Sequence, residues 1–147
     1  MTRLRLVRVV PFAALVALAA VIIGCADSST APSTNPAFSQ TDVRVGTGTA
    51  AANGKALTVN YTGWLYDGSK SDLKGLQFDS SVGKTAYTFA LGSGTVIAGW
   101  DQGLVGMQVG GLRRLVIPPS LAYGATRYLS IPPNSTLVFD IELLAVQ

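Results

Sequence analysis

The sequence predicts a single α+β domain: an antiparallel sheet with one short helix against one of its faces. Two observations carry this. After residue 40, nearly every apolar run alternates with polar residues and is bounded by Gly, Pro, Asn or Asp, the pattern of half-buried strands joined by turns. One stretch breaks that rhythm. In Thr95–Met107, residues Ile97, Trp100, Leu104 and Met107 stand at i, i+3, i+7 and i+10 and so share one side of a helix. Strands without helices between them pair antiparallel, and the one helix must then cover a face.

Taken in order, residues 1–24 read as a bacterial secretion signal. Arg3, Arg5 and Arg8 form a positive start, and Val9–Ile23 is an apolar run of 15 residues interrupted by Pro11, short of the about 20 that span a bilayer. The run ends Ile22-Ile23-Gly24-Cys25, which resembles the lipobox of bacterial lipoproteins. That resemblance implies a signal cleaved before Cys25, acylation of Cys25, and two or three acyl chains, enough for stable membrane attachment. The single Cys stands where the motif demands it and excludes an internal disulfide; an uncleaved anchor with an incidental Cys is the competing reading. Ala26 rather than Asp follows it, which leans towards an outer membrane where the host has one. Residues 25–40 are dominated by Ser, Thr, Ala, Pro and Asn, with Asp27 the only charge and Phe38 the only aromatic, and are expected to form a flexible tether.

The domain is expected over residues 41–147. Val43 and Val45 alternate with polar residues as a short edge strand, and Gly46–Gly54 is loop. Ala56–Tyr66 is the longest strand candidate, with Leu57, Val59, Tyr61, Gly63 and Leu65 on one face. Asp67-Gly68 signals a turn, Ser69–Leu76 a polar insertion, and Gln77–Ser80 a short strand. Tyr87–Leu91 alternates again, and Gly92-Ser93-Gly94 leads into the helix. No Gly-Lys-Ser/Thr follows those glycines, so they are no phosphate loop. Gly110-Gly111 turns the chain into the strand Leu112–Ile117, closed by Pro118-Pro119. Ser120 is expected to cap a single turn over Leu121–Tyr123. Arg127–Asn134 is loop, and Thr136–Val146 is the last strand.

The helix carries Gly99, Gly103 and Gly106, each costing about 1 kcal/mol of helix propensity relative to Ala. It therefore needs its backbone close to something, or tertiary packing overrides propensity. By residue type alone, Trp100 reads as a core tryptophan.

Composition narrows the function. The three arginines of the signal account for the whole formal charge of +3, so a nucleic-acid-binding surface has no support. The chain has no His, which removes His-based triads and His metal ligands, and no cofactor is expected.

Six stretches then occur in order: Tyr61-Thr62-Gly63, Phe78-Asp79-Ser80-Ser81, Val96-Ile97-Ala98-Gly99-Trp100, Ala122-Tyr123-Gly124, Ile131-Pro132-Pro133 and Leu137–Leu143. With these, residues 41–147 resemble the FKBP-type peptidyl-prolyl cis–trans isomerases. The resemblance implies a twisted antiparallel sheet of five or six strands curled around one short helix. It also implies a proline site lined by Tyr61, Phe78, Asp79, Tyr87, Phe89, Val96, Ile97, Trp100, Tyr123, Ile131 and Phe139. In it Trp100 would be the floor and Tyr61, Phe89 and Phe139 the walls. The Ile97 N–H and the Tyr123 hydroxyl would bind substrate carbonyls, and Asp79 would lie beside the reacting amide and orient Tyr61. Asp79, Tyr123 and Tyr61 are thus the implied catalytic residues. Implied ligands are proline-containing polypeptides and macrolides of the tacrolimus and rapamycin type; the domain is expected to be monomeric.

The chain departs from the family pattern in three places. Tyr87 stands where Phe is common, Ser69–Leu76 lengthens a connection, and Arg127-Tyr128-Leu129-Ser130 replaces a more usual Gly-His-Pro-Gly type of loop. The loop changes lie near the rim and bear on substrate preference. Asp79, Asp101 and Asp140 have a competing reading as plain hydrogen-bonding carboxylates, favoured for Asp140 but not for Asp79; a glycosidase pair has nothing to support it. A second function remains open, a lipid-anchored module that grips proline-containing segments without turnover.

Overall fold

A computed structural model describes residues 35–147. The expected signal, Cys25 and most of the tether lie outside the described residues. The elements are β1 (Ser39–Arg44), β2 (Ala56–Tyr66), β3 (Lys74–Ser80), β4 (Tyr87–Ala90), α1 (Ala98–Gly103), β5 (Leu112–Ile117) and β6 (Leu137–Val146). All strand pairs are antiparallel, in the order β1-β5-β6-β2-β3. The long β2 is the hub. One edge pairs with β6 throughout; along the other edge, β4 takes the first half and β3 the second.

Alternation works as expected in β2 and β6. Leu57 and Val59 of β2 and Phe139, Ile141 and Leu143 of β6 are buried on one face. On that face lies α1, with Trp100, Leu104 and Met107 in the same core. Full burial of such side chains is worth roughly 1.5–3 kcal/mol each, so this cluster dominates stability.

The helix is shorter than its apolar spacing suggests. It ends at Gly103; Leu104 is its C-cap, and Met107 follows Gly106, which has a φ of +76°. The glycine cost is offset by close approach. A Cβ on Gly103 would lie 2.7 Å from the Leu115 side chain, and one on Gly99 would strike Ile117. Both contacts are with β5, so the two glycines seat the helix backbone directly on that strand.

Three expectations at the edges need correction. The strand β1 begins at Ser39, and Phe38, assigned to the tether, packs against the core beside Gly103. Asn35 Oδ1 accepts a hydrogen bond from Thr136 at 3.2 Å. The fold therefore takes up the end of the segment expected to be tether, starting before residue 41. Val43 is 53% exposed because β1 lies at the sheet edge, and Val45, expected in that strand, lies just past its end and is 71% exposed. What fastens β1 is Arg113, whose guanidinium is buried and donates to both oxygens of Asp42 and to the Gly103 carbonyl. The last of these is a terminal carbonyl of α1, so one side chain ties the edge strand to the helix end.

The insertion is a compact turn rather than open loop. Ser69 donates twice to Asp67 Oδ1, Leu73 takes a positive φ of 63°, and β3 starts at Lys74, inside the stretch expected to be insertion. Nor does Ser120 cap a helical turn. The 3-10 turn here is Pro119–Leu121, preceded by Pro118 and without a side-chain cap.

Candidate active site

The cleft opens over Trp100, and its walls come from how β2, β3 and β6 meet. Gly63 on β2 pairs with Phe139 on β6 and Asp79 on β3. The β3 register slips between Gly63 and Trp64, so Phe78 is an extra, bulged residue. A Cβ on Gly63 would lie 2.6 Å from the Phe78 ring and 2.7 Å from that of Phe139. Glycine at this position lets those two rings meet edge to face, 5.5 Å apart. The bulge and the glycine together turn Phe78 and Asp79 into the cleft.

The cavity is about 590 Å³. Ten of the eleven residues implied by the family resemblance line it: Tyr61, Phe78, Asp79, Tyr87, Val96, Ile97, Trp100, Tyr123, Ile131 and Phe139. Phe89 does not. It is buried, 5.6 Å from the Trp100 ring, and so supports the floor from behind instead of forming a wall. Five further residues line the cleft: Gly94, Thr95, Tyr128, Leu129 and Ser130. The last three belong to the rim loop whose sequence departs from the family pattern.

Trp100 is 5% exposed and is surrounded by rings. Tyr61 and Phe139 stand edge to face with it at 5.2 and 5.3 Å. Its indole N–H has no conventional acceptor; the neighbouring π faces are the surroundings in which such a donor is tolerated. Tyr87 stacks on Phe89 and is 41% exposed.

Polar groups in the cleft are few and fixed. The Tyr61 hydroxyl donates to Asp79 Oδ2 at 2.6 Å, and the Ser80 N–H donates to Asp79 Oδ1 at 2.8 Å. Both carboxylate oxygens thus accept bonds from β2 and β3. Burial, then the bond to Asp79, pushes the Tyr61 phenol above the ordinary tyrosine range; burial does the same for Tyr123. Ile97 is the N-cap of α1. Its carbonyl accepts from Trp100 and Asp101, while its N–H precedes the first helical turn. Asp101 holds the approach to the helix, accepting the Gly92 and Gly94 N–H groups at 2.8 and 3.0 Å. Asp140 lies on the opposite sheet face, bonded to Arg114 and Lys74, and has a structural role. No group of acidic or Cys side chains that could hold a metal occurs among the described residues.

Fold and site define a class: a small sheet-and-helix domain whose aromatic cleft can grip an apolar peptide segment and hold its backbone by a few fixed polar groups. A family model for the FKBP-type peptidyl-prolyl cis-trans isomerase matches residues 47–144, and the chain belongs to that family. The FK506-binding protein of Neisseria meningitidis serogroup B is 47% identical over 107 residues, covering 71% of this chain and 92% of that protein. FK506-binding protein 4 of Neurospora crassa is 48% identical over 106 residues, which is 72% of this chain and about a fifth of that one (21%). Among solved structures, FkpA from Escherichia coli matches with a TM-score of 0.63 and 44% identity, over 75% of this chain and 48% of that one.

Proposed function

We propose that the domain accelerates rotation about Xaa–Pro bonds in exported polypeptides, acting as a monomer held to a bacterial membrane by acyl chains on Cys25. The observation that carries the catalytic reading is the make-up of the cleft. Seven of its lining residues are aromatic, one is a carboxylate already engaged as an acceptor, and none supplies an imidazole or thiol.

The prolyl amide is planar through resonance, and rotating it costs about 18–20 kcal/mol. Rotation makes and breaks no bond, so the residues need only bind, orient and exclude water. The twisted amide has less charge separation than the planar one. A dry aromatic site withdraws the solvation that favours the planar state, and the transition state gains relative to it. Trp100 would meet the proline ring, with Tyr61, Phe78 and Phe139 around it. The Ile97 N–H and the Tyr123 hydroxyl would bind carbonyls on either side of the rotating bond. Asp79 would fix Tyr61 and face the amide.

The names of the relatives support a further expectation, that macrolides of the tacrolimus and rapamycin type occupy the same cleft and inhibit. The lipobox resemblance supports attachment on the periplasmic side, at the outer membrane where there is one. The test has two arms. Detergent-solubilised full chain should speed cis-to-trans conversion of short Xaa-Pro peptides and lose that activity to tacrolimus. Cells fed labelled fatty acid should label the wild type but not Cys25→Ser. A folded chain that binds proline peptides without turnover would sink the catalytic reading in favour of the holding module. An unlabelled wild type would sink the anchor.

A further inference from the structure

Of the four tyrosines that line the cleft, Tyr61 and Tyr123 are held in different ways. Tyr61 gives its hydroxyl to Asp79. Tyr123 gives its hydroxyl to no described residue; instead its ring lies flat on that of Tyr128, with centroids 4.2 Å apart and planes 5° from parallel. Among the described residues this is the tightest and flattest aromatic pair; the rings around Trp100 stand 5.2 to 6.4 Å apart, mostly edge-on or tilted.

Tyr128 is itself held. Its N–H donates to the Ile131 carbonyl at 3.1 Å, and the Ile131 N–H donates back at 2.8 Å, closing a two-residue turn. Leu129, first of the two central residues, has a φ of +49°, where a residue with a side chain is strained. Burial does not impose this, since Leu129 is 80% exposed. The two-residue hairpin turn demands a positive φ there, and glycine would meet the demand without cost. At the loop base, Asn134 N–H donates to the Gly124 carbonyl at 2.7 Å. The loop is thus a closed frame with Tyr128 braced against Tyr123.

We infer that Tyr128 is a positioning residue: its stacked ring sets the direction of the Tyr123 phenol while leaving that hydroxyl free to donate to substrate. A hydrogen bond could fix the phenol equally well, but it would consume the donor. The inference rests on the role given to Tyr123 in the proposed reaction.

The test is kinetics on the full chain with a short Xaa-Pro peptide. Tyr128→Ala should lower kcat/KM by about two- to twelvefold, the range that an aromatic pair is worth. Tyr128→Phe keeps the stack and should restore most of this, whereas Tyr128→Leu keeps apolar surface without the stack and should not. In a Tyr123→Phe background the hydroxyl is gone, and Tyr128→Ala should then cost less than about 1.5-fold, because coupled residues are not additive. Thermal midpoints taken alongside separate these effects from loss of fold. Equal losses from Tyr128→Ala in both backgrounds, or a Tyr128→Leu as active as Tyr128→Phe, would overturn the inference while leaving the isomerase assignment standing. A folded wild type without turnover would overturn both.

Discussion

Phe139 and Asp140 are neighbours on β6 and point to opposite faces of the sheet. Phe139 enters a cleft of rings whose single carboxylate is that of Asp79. Asp140 enters a charged cluster: Arg114 grips it through two bonds of 2.7 and 3.0 Å, and Lys74 through one of 2.6 Å. Burial opposes the charge on Asp140, but those bonds outweigh it and hold the carboxyl below its ordinary range. Lys74 also lies over the ring of Trp64, 4.1 Å from its centroid, so even the tryptophan of this face is part of the electrostatics. One face thus admits a single carboxylate, already engaged by Tyr61 and Ser80, and the other uses charge to hold strands together. Stability and catalysis should accordingly answer to different variables.

The largest contrast is between the two tryptophans. Trp100→Ala should cost roughly 3–5 kcal/mol in chemical denaturation, as a large buried group is deleted. Trp64→Ala, on the half-buried outer face, should cost about 1 kcal/mol, close to the worth of a partly exposed cation–π contact. Trp100→Leu should keep more of the fold and still lose proline binding. Equal losses at positions 100 and 64 would break the comparison.

Next comes Asp140→Asn. Its partners keep 19% and 26% of their side-chain surface in solvent, so the loss lies between those of exposed and buried pairs, about 1–3 kcal/mol. Turnover should stay within twofold. The pH dependence has a definite sign. A carboxyl whose folded-state value is lowered stabilises fully above its ordinary value of 3.8, and that contribution is lost as the pH falls through the folded value. The wild type should therefore lose stability below about pH 4 more steeply than Asp140→Asn. Parallel acid limbs would show that Asp140 is not the group responsible.

The smallest expected change is none at all. Tyr61 and Tyr123 are both shifted up and stay protonated, and no imidazole is present. Between about pH 6 and 8.5, kcat/KM should be flat, and the solvent isotope effect close to one. Asp79→Leu should lower kcat/KM by roughly tenfold, the scale of one charge-assisted hydrogen bond, without abolishing it. A bell-shaped profile would mean that a proton moves, and the charge-poor cleft would then need another explanation.

Much of this was legible in the sequence, because periodicity reports which side of a strand is buried. The β2 and β6 faces and the helical side of Trp100 followed from periodicity, and ten of the cleft residues from the family resemblance that the ordered motifs carry. What failed has physical causes. Alternation puts Phe89 on the inner face but cannot say whether it stands before or behind an indole. The apolar spacing carried the helix on to Met107, while Gly103 and Gly106 ended it sooner. Phe38 was hidden in a stretch too polar to suggest a core, because one ring suffices to fill the space beside Gly103. Tyr128 was seen as a departure in a loop, but no local pattern announces that two loop rings will lie face to face.

The seating of α1 on β5 has a consequence for how the molecule comes into being. Six residues with two glycines are far too few to hold a helix by themselves, for which roughly 12–15 good formers are needed. The floor of the cleft therefore exists only once β5 is in place, and β5 is held inside the sheet by β6, the last of the described strands. A nascent chain still short of β6 lacks the seated floor and the Phe139 wall, and so has no assembled cleft. Its own prolines, among them Pro118, Pro119, Pro132 and Pro133, must reach their final isomers on the slow intrinsic clock of tens of seconds unless a finished molecule attends to them. Recovery from the unfolded state should then quicken as finished copies accumulate, so that the rate depends on how much of the protein has already folded.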